Sequence, residues 1–192
     1  RIDPSTNTQK VYSFEDIALT SDFKMFYDDA YSIINQANLI LEYTPALKDA
    51  TEAEKNQIIA EATTIRAYTH FLVSLLYSQN YNYTTDASHL GIIYNTNSIK
   101  SGIQYPARET AKRTYELIIA DLKTAIEKYS DSSLLSGPSY SFFSRNSAKA
   151  LLARVYFQKN DWANAYQTAN DVITTSGVTL MPKENLVAEW EK

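Results

Sequence analysis

The sequence predicts an all-α protein made of helical hairpins and long loops. Three observations lead there. Apolar residues recur at steps of three and four over five segments, the spacing that gathers side chains onto one face of an α-helix. Gly and Pro number only 4 and 5 in 192 residues, so few turns are obligatory and long helices account for most of the chain. Small residues also occur where two consecutive helices would approach each other closely, at Ala153 and Ala165.

The first helix begins near Ser21 and Asp22, carries Phe23, Phe26, Tyr27, Ala30, Ile34, Ala37 and Leu41 on one stripe, and stops at Thr44 and Pro45. Thr51 and Glu54 have capping-box spacing ahead of a second helix, whose stripe is Ile58, Ala62, Ile65, Thr69, Leu72 and Leu76. Residues 79–106 lose all periodicity and read as a long loop, a length that points to function. After Pro106 a third helix carries Ala111, Tyr115, Ile118, Leu122, Ala125 and Tyr129. The serine-rich link "SDSSLLSGPSYSFFSRN" leads to a fourth, with Ala148, Leu151, Leu152, Val155 and Tyr156. Asn160 and Asp161 turn the chain into a fifth, with Trp162, Ala165, Ala169, Val172 and Ile173, which ends at Gly177. Leu152, Ala153, Tyr156 and Ala165 match the spacing of a tetratricopeptide-like hairpin, without its usual early Trp and closing Pro. Leu72, Leu122, Leu152, Ile173 and Trp162 are the expected core.

Composition excludes several classes. Lys and Arg total 18 against 22 acidic residues, for a net charge of -4, and no basic run offers the phosphate-neutralising stripe that nucleic acid requires. The absence of cysteine removes disulfides, thiolate chemistry and Cys-ligated zinc. No apolar run approaches the roughly 18 residues of a membrane-spanning helix. Arg1 in place of an initiator Met predicts that residues 1–192 are one helical domain of a longer protein.

The chemistry-bearing residues fit structural roles. Glu61 and Arg66 lie five apart, ~140° around a helix, so they do not pair along one ridge and are expected to meet neighbouring helices. Asp28 and Asp29 point ~100° apart and read as a solvated face rather than a glycosidase acid pair. His70 and His89 lack metal-ligand spacing. No phosphate loop or nucleophile elbow is present. We therefore expect no catalytic residues, no metal and no cofactor.

Tyrosine is the outlier, at 15 residues. Tyr68, Tyr77, Tyr115, Tyr129, Tyr156 and Tyr166 fall on helical segments, where interhelical packing accounts for most of them. Tyr81, Tyr83 and Tyr94 fall in the long loop, where no stripe demands them. Their faces suit a sugar ring, and adjacent Asn and Gln suit hydroxyls or a peptide backbone, so they are the candidate ligand contacts. Packing against further chain is the competing account.

Four segments, in order, carry a family resemblance: "YSIINQANLILE", "EATTIRAYTHFLVSLLY", "YPARETAKRTYELIIADLKTAIEKY" and "NSAKALLARVYFQKNDWANAYQTANDVI". Together they resemble the SusD/RagB group of outer-membrane nutrient-binding lipoproteins, in its amino-terminal helical part. After Tyr77 the chain departs from the family's Gly-Asp and Pro pattern, with Ile93 where a Pro is usual. The resemblance implies a tetratricopeptide-like helical scaffold. It also implies a non-enzymatic surface subunit that binds an oligosaccharide or a peptide and delivers it to a SusC-like TonB-dependent transporter. Attachment would be to the outer membrane, through an amino-terminal lipid anchor outside this sequence. A tetratricopeptide-type protein-interaction module is the alternative; a lipoprotein signal or a neighbouring transporter gene would separate the two.

Overall fold

The structure is a computed structural model, and it describes residues 13, 22–102, 104–130, 134, 137, 141–179 and 181–190. Ser21 and most of the serine-rich link lie outside the described residues. Five long helices follow one another: α1 (Asp22–Tyr43), α2 (Glu52–Tyr77), α3 (Ala111–Lys128), α4 (Arg145–Gln158) and α5 (Trp162–Thr175). A short α6 (Leu186–Trp190) comes last. Each long helix packs on its neighbour in the chain, which gives a row of helices rather than a closed bundle. Among the described residues the only β-pairing is an isolated bridge between Leu90 and Thr110.

Helix boundaries reflect local chemistry. Thr51 accepts from the Glu54 backbone N–H while the Glu54 carboxylate accepts from the Thr51 N–H, so the capping box predicted from sequence forms at the start of α2. Thr110 and Asp161 cap α3 and α5 in the same way, each accepting from the amide three residues on. Asn160 adopts a left-handed backbone, φ 61°, at the hairpin between α4 and α5. Gly177, φ 70°, does so just past α5, where a Cβ would be strained.

The predicted stripe of α3 is buried in full: Ala111, Tyr115, Ile118, Leu122, Ala125 and Tyr129. That of α4 is too, at Ala148, Leu151, Leu152, Val155 and Tyr156. One continuous cluster joins Ala67 and Phe71 of α2 to Tyr115, Ile118 and Leu122 of α3 and to Leu151, Leu152 and Val155 of α4.

Helix α2 differs from its expected single stripe because it lies between α1 and α3 and is covered on both sides. Ala60, Ala67, Phe71 and Val73 are buried, while Leu72 is half-buried and Leu76 exposed. Its remaining buried positions are Ala62 and polar residues, mostly small: Gln57, Thr63, Thr64, Thr69, His70 and Ser74. Thr64 and Thr69 donate to the carbonyls of Ala60 and Ile65, and Ser74 to that of Phe71. Bonding back to the helix's own backbone satisfies these hydroxyls without water, so a helix of mixed polarity can be enclosed.

Three expected core residues are corrected, the half-buried Leu72 of α2 among them. Ile173 is 72% exposed and Trp162 55% exposed. Helix α5 packs on α4 along one side, and its opposite flank meets no further layer among the described residues. Trp162 instead stands edge-on to Phe157, with ring centroids 5.1 Å apart. Tyr166, expected in an interhelical seam, is exposed on the same flank.

We predict that Leu152→Ala lowers the unfolding free energy by ~2–5 kcal/mol through lost burial and a residual cavity. Met25→Ala, at an exposed position of α1, should change it by less than ~0.5 kcal/mol. Urea titration of both variants checks the pair; equal midpoints would reject the core placement.

Candidate functional site: a pinned loop and its exposed tyrosine

The long loop runs along the helices in two parts, and both are held by side chains that the sequence places on α1, α2 and α3. Residues 91–99 form a strap over α1 and α2. Tyr31 donates to the Ile93 carbonyl at 2.8 Å. Asn38 donates to the carbonyls of Asn95 and Asn97 at 3.1 and 3.2 Å. Asn35 bonds both backbone groups of Ile99, accepting from its N–H at 2.6 Å and donating to its carbonyl at 3.2 Å. These bonds satisfy strap backbone groups that have no helix or sheet to pair with.

Beneath the strap is an ion pair. Arg66 Nε and Nη2 each donate to an oxygen of Asp121 at 2.8 Å, a two-pronged contact between α2 and α3. Both side chains are only 12% and 15% exposed. Arg66 Nη1 donates to Asn38 Oδ1 at 3.0 Å. A guanidinium can only donate, so this fixes the Asn38 amide with its NH₂ toward the strap. Tyr94 donates its hydroxyl to Asp121 Oδ2 at 2.7 Å and stacks on His70 with centroids 3.9 Å apart. Burial, and after it the Asp121 charge, holds the Tyr94 hydroxyl well above its ordinary pKa.

His70 completes the ring of contacts. Its Nδ1 faces the Arg66 carbonyl at 2.9 Å and must donate there, while Nε2 accepts from the Asn95 N–H at 3.1 Å. That assigns the neutral Nδ1–H tautomer. The ring is 0% exposed, and burial lowers its pKa from 6.5 to about 3.

Residues 79–89 form the second part, a series of tight turns docked on the start of α3. The carbonyls of His89 and Ala87 accept from Ala111 and Lys112 at 2.8 and 2.9 Å, which satisfies the first free amides of that helix. At the junction, Arg108 donates to the Gly91 and Tyr77 carbonyls at 2.7 and 3.1 Å. Gly91 is required by close approach: a Cβ there would lie 2.3 Å from Thr114 Oγ1 and 2.9 Å from the Thr110 carbonyl oxygen.

The three candidate tyrosines occupy different surroundings. Tyr94 lies under the strap with its face on His70 and its hydroxyl on Asp121. Tyr81 is half-buried, edge-on to Tyr115 at 5.0 Å, with Lys159 Nζ 5.8 Å from its ring centroid. Tyr83 is 66% exposed and meets the His89 ring edge-on at 5.4 Å. None of the ring contacts joins one of the three to another. The exposed residues nearest Tyr83 along the chain include Asn80, Asn82, Asp86 and Ser88, and hydrogen bonds from Ser88 hold Asp86 below the usual carboxylate range.

Sequence reasoning anticipated interhelical partners for Arg66 but missed Asn35, Asn38 and Asp121 as loop pins. Asn38 was legible as a polar residue beside the apolar stripe of α1. Asp28 and Asp29 are exposed, and Asp28 pairs with Lys24. Among the described residues, no three His, Cys, Asp or Glu side chains cluster as metal ligands, and no helix is long and apolar enough to cross a membrane.

Arg66→Ala strands Asp121 and one side of Asn38 in a dry contact, and should cost ~3–5 kcal/mol in denaturant unfolding. A loss below ~1 kcal/mol would show that the pair is dispensable. His70 gives a pH signature. Its folded pKa lies below its unfolded value, so the unfolded chain binds the extra proton. Stability is complete above pH ~6.5 and falls as pH drops toward about 3, by at most ~1.4 kcal/mol per pH unit. Between pH 6.5 and 4.5, His70→Gln should flatten this slope relative to the parent. Parallel profiles would refute the assignment.

The fold is shared with known proteins. No curated protein matches the chain. It superposes on a Bacteroides vulgatus protein named "Putative sugar binding protein" with a TM-score of 0.82 at 28% identity, covering 99% of this chain and 42% of that one. A SusD superfamily protein from Bacteroides vulgatus gives 0.84 at 22% identity, covering 98% and 42%. A structure solved with a xylogluco-oligosaccharide gives 0.71 at 23%, covering 92% and 34%. The chain therefore spans less than half the length of these solved proteins. A sequence model of the SusD-like family, described as "Starch-binding associating with outer membrane", matches residues 3–157, most of the 192-residue chain, and the chain belongs to that family.

Proposed function

We propose that this chain is the helical part of a longer, non-enzymatic glycan-binding protein that acts at the outer membrane. The family match over residues 3–157 carries the reading. Delivery of the bound glycan to a SusC-like TonB-dependent transporter, and surface attachment by a lipid anchor, belong to the same reading. A capture subunit of this kind holds its ligand without making or breaking bonds, so it needs a rigid frame and an accessible recognition surface rather than an acid–base pair.

Of the loop tyrosines, Tyr83 is the ligand contact we favour. Its ring is open to water, it sits on turns anchored to α3, and its neighbours offer both amide and carboxylate groups. Sugar rings bind by laying C–H surface on an aromatic face while their hydroxyls find polar partners. Tyr81 borders this surface and contributes its outer edge. Tyr94, whose ring and hydroxyl are already engaged, serves by holding the loop in place. The rigid pinning below is what allows such a loop to bind without a large ordering cost.

The test is calorimetric titration of the full-length protein with starch-derived and xyloglucan-derived oligosaccharides. Tyr83→Ala should weaken binding by ~1–3 kcal/mol if the ring is an anchor, leave the melting temperature unchanged, and return the glycan uncleaved. Early melting with normal affinity would make Tyr83 a packing residue; turnover of the glycan would overturn the non-enzymatic reading.

A further inference from the structure

The outer flank of the α4–α5 hairpin is an apolar groove of about 530 Å³. Its floor is formed by small residues, Ala150 and Ala153 of α4 with Ala169 of α5, and it is walled by Trp162, Tyr166 and Ile173. These three walls are more than half exposed. From Trp162 to Ile173 the groove runs along α5 for eleven residues, or roughly 16 Å at 1.5 Å per residue, the length of three helical turns. An alanine floor lets another helix backbone approach to the 8–10 Å typical of packed helices, with large side chains closing around it. The lining is almost wholly apolar, which suits a helix face better than a hydroxyl-rich sugar.

We infer that this groove seats an amphipathic helix from the same polypeptide, carboxyl-terminal to residue 192. The inference rests on the reading that the chain is part of a longer protein. Two observations select this occupant. Solved proteins that superpose on nearly all of this chain are more than twice its length, since it covers 42% of each. The chain also leaves α5 at the end of the groove, through Gly177, and the segment after that glycine stays unpacked: α6 rests on its own preceding turn, with Leu186, Val187 and Trp190 exposed. A continuing chain thus starts beside an apolar seat that no described element fills. The position of α5 at the end of the row explains why its apolar residues face outward: the helix is built for two neighbours and has one.

The test uses the full-length protein with a photoreactive Tyr166→p-benzoylphenylalanine substitution, and Lys123→p-benzoylphenylalanine on the exposed face of α3 as the control. Irradiation should give an intramolecular cross-link from position 166 to a peptide beyond residue 192, in several-fold higher yield than the control, with the product migrating as a monomer. A cross-link joining two copies would make the groove a self-association surface and overturn the assignment. So would a link within residues 22–190, or a yield no greater than the control. A full-length chain that stops near residue 192 would sink this inference and the longer-protein reading together, whereas an extended chain that cross-links elsewhere sinks the groove assignment alone.

Discussion

The Arg66–Asp121 pair is the contact on which the arrangement of helices and loop depends. Removing two charges from water is costly, and mutual attraction alone rarely offsets it. Here each ion is given further hydrogen bonds: Asn38 takes one arm of the guanidinium, and Tyr94 donates to the carboxylate. Those two partners in turn hold the strap, Asn38 through the Asn95 and Asn97 carbonyls and Tyr94 through its own place in the chain. One ion pair therefore fixes α2 against α3, orients a side chain of α1, and sets the position of a loop that has no periodic structure of its own. Its value is positional more than energetic, because an apolar substitute could fill the volume but could not direct these hydrogen bonds.

The same constraint explains the composition of α2. A helix enclosed on two sides cannot present the wide polar face of a surface helix, nor can large apolar residues fit at every close approach. The sequence resolves this with Ala60, Ala67, Thr64 and Ser74, which are small and whose hydroxyls are satisfied within the helix or, for Thr64, also by Tyr129 at 3.0 Å. His70 belongs to this solution. A neutral imidazole is flat enough to stack under Tyr94, and its two nitrogens bridge a helix carbonyl and the strap amide of Asn95.

How legible each helix is in the sequence depends on where its buried positions fall. Helices α3 and α4, although each has a neighbour on two sides, were legible residue by residue because their buried apolar residues lie on one stripe. The capping box at Thr51 was legible because it is a local exchange among four residues. Helix α2 was misread as a single stripe, since it meets α1, α3 and the strap at once, through His70 on Asn95 and Tyr94, and its buried positions spread around the helix. Helix α5 was misread in the opposite sense: Trp162 and Ile173 form a proper stripe, but no described element packs on that flank. The loop pins were invisible for another reason. Asn35, Asn38 and Arg108 bond backbone atoms many residues away, and no spacing rule records a partner that is chosen by the fold.

The tyrosines show how one residue type serves both halves of this design. Tyr31, Tyr94 and Tyr129 bury most of a ring while directing the hydroxyl to Ile93, Asp121 and Thr64, so each acts as apolar filler and as a polar tie. A phenylalanine would fill the space and lose the tie; a serine would do the reverse. Two of these tyrosines, Tyr31 and Tyr94, fasten the irregular loop to the helices, and Tyr129 ties the end of α3 to α2. If the proposed binding role of Tyr83 holds, a loop held by buried bonds would lose little conformational freedom on binding, and the exposed ring could contribute most of its contact energy to recognition. Burial thus separates the tyrosines that act as ties from exposed ones such as Tyr83, which is 66% exposed.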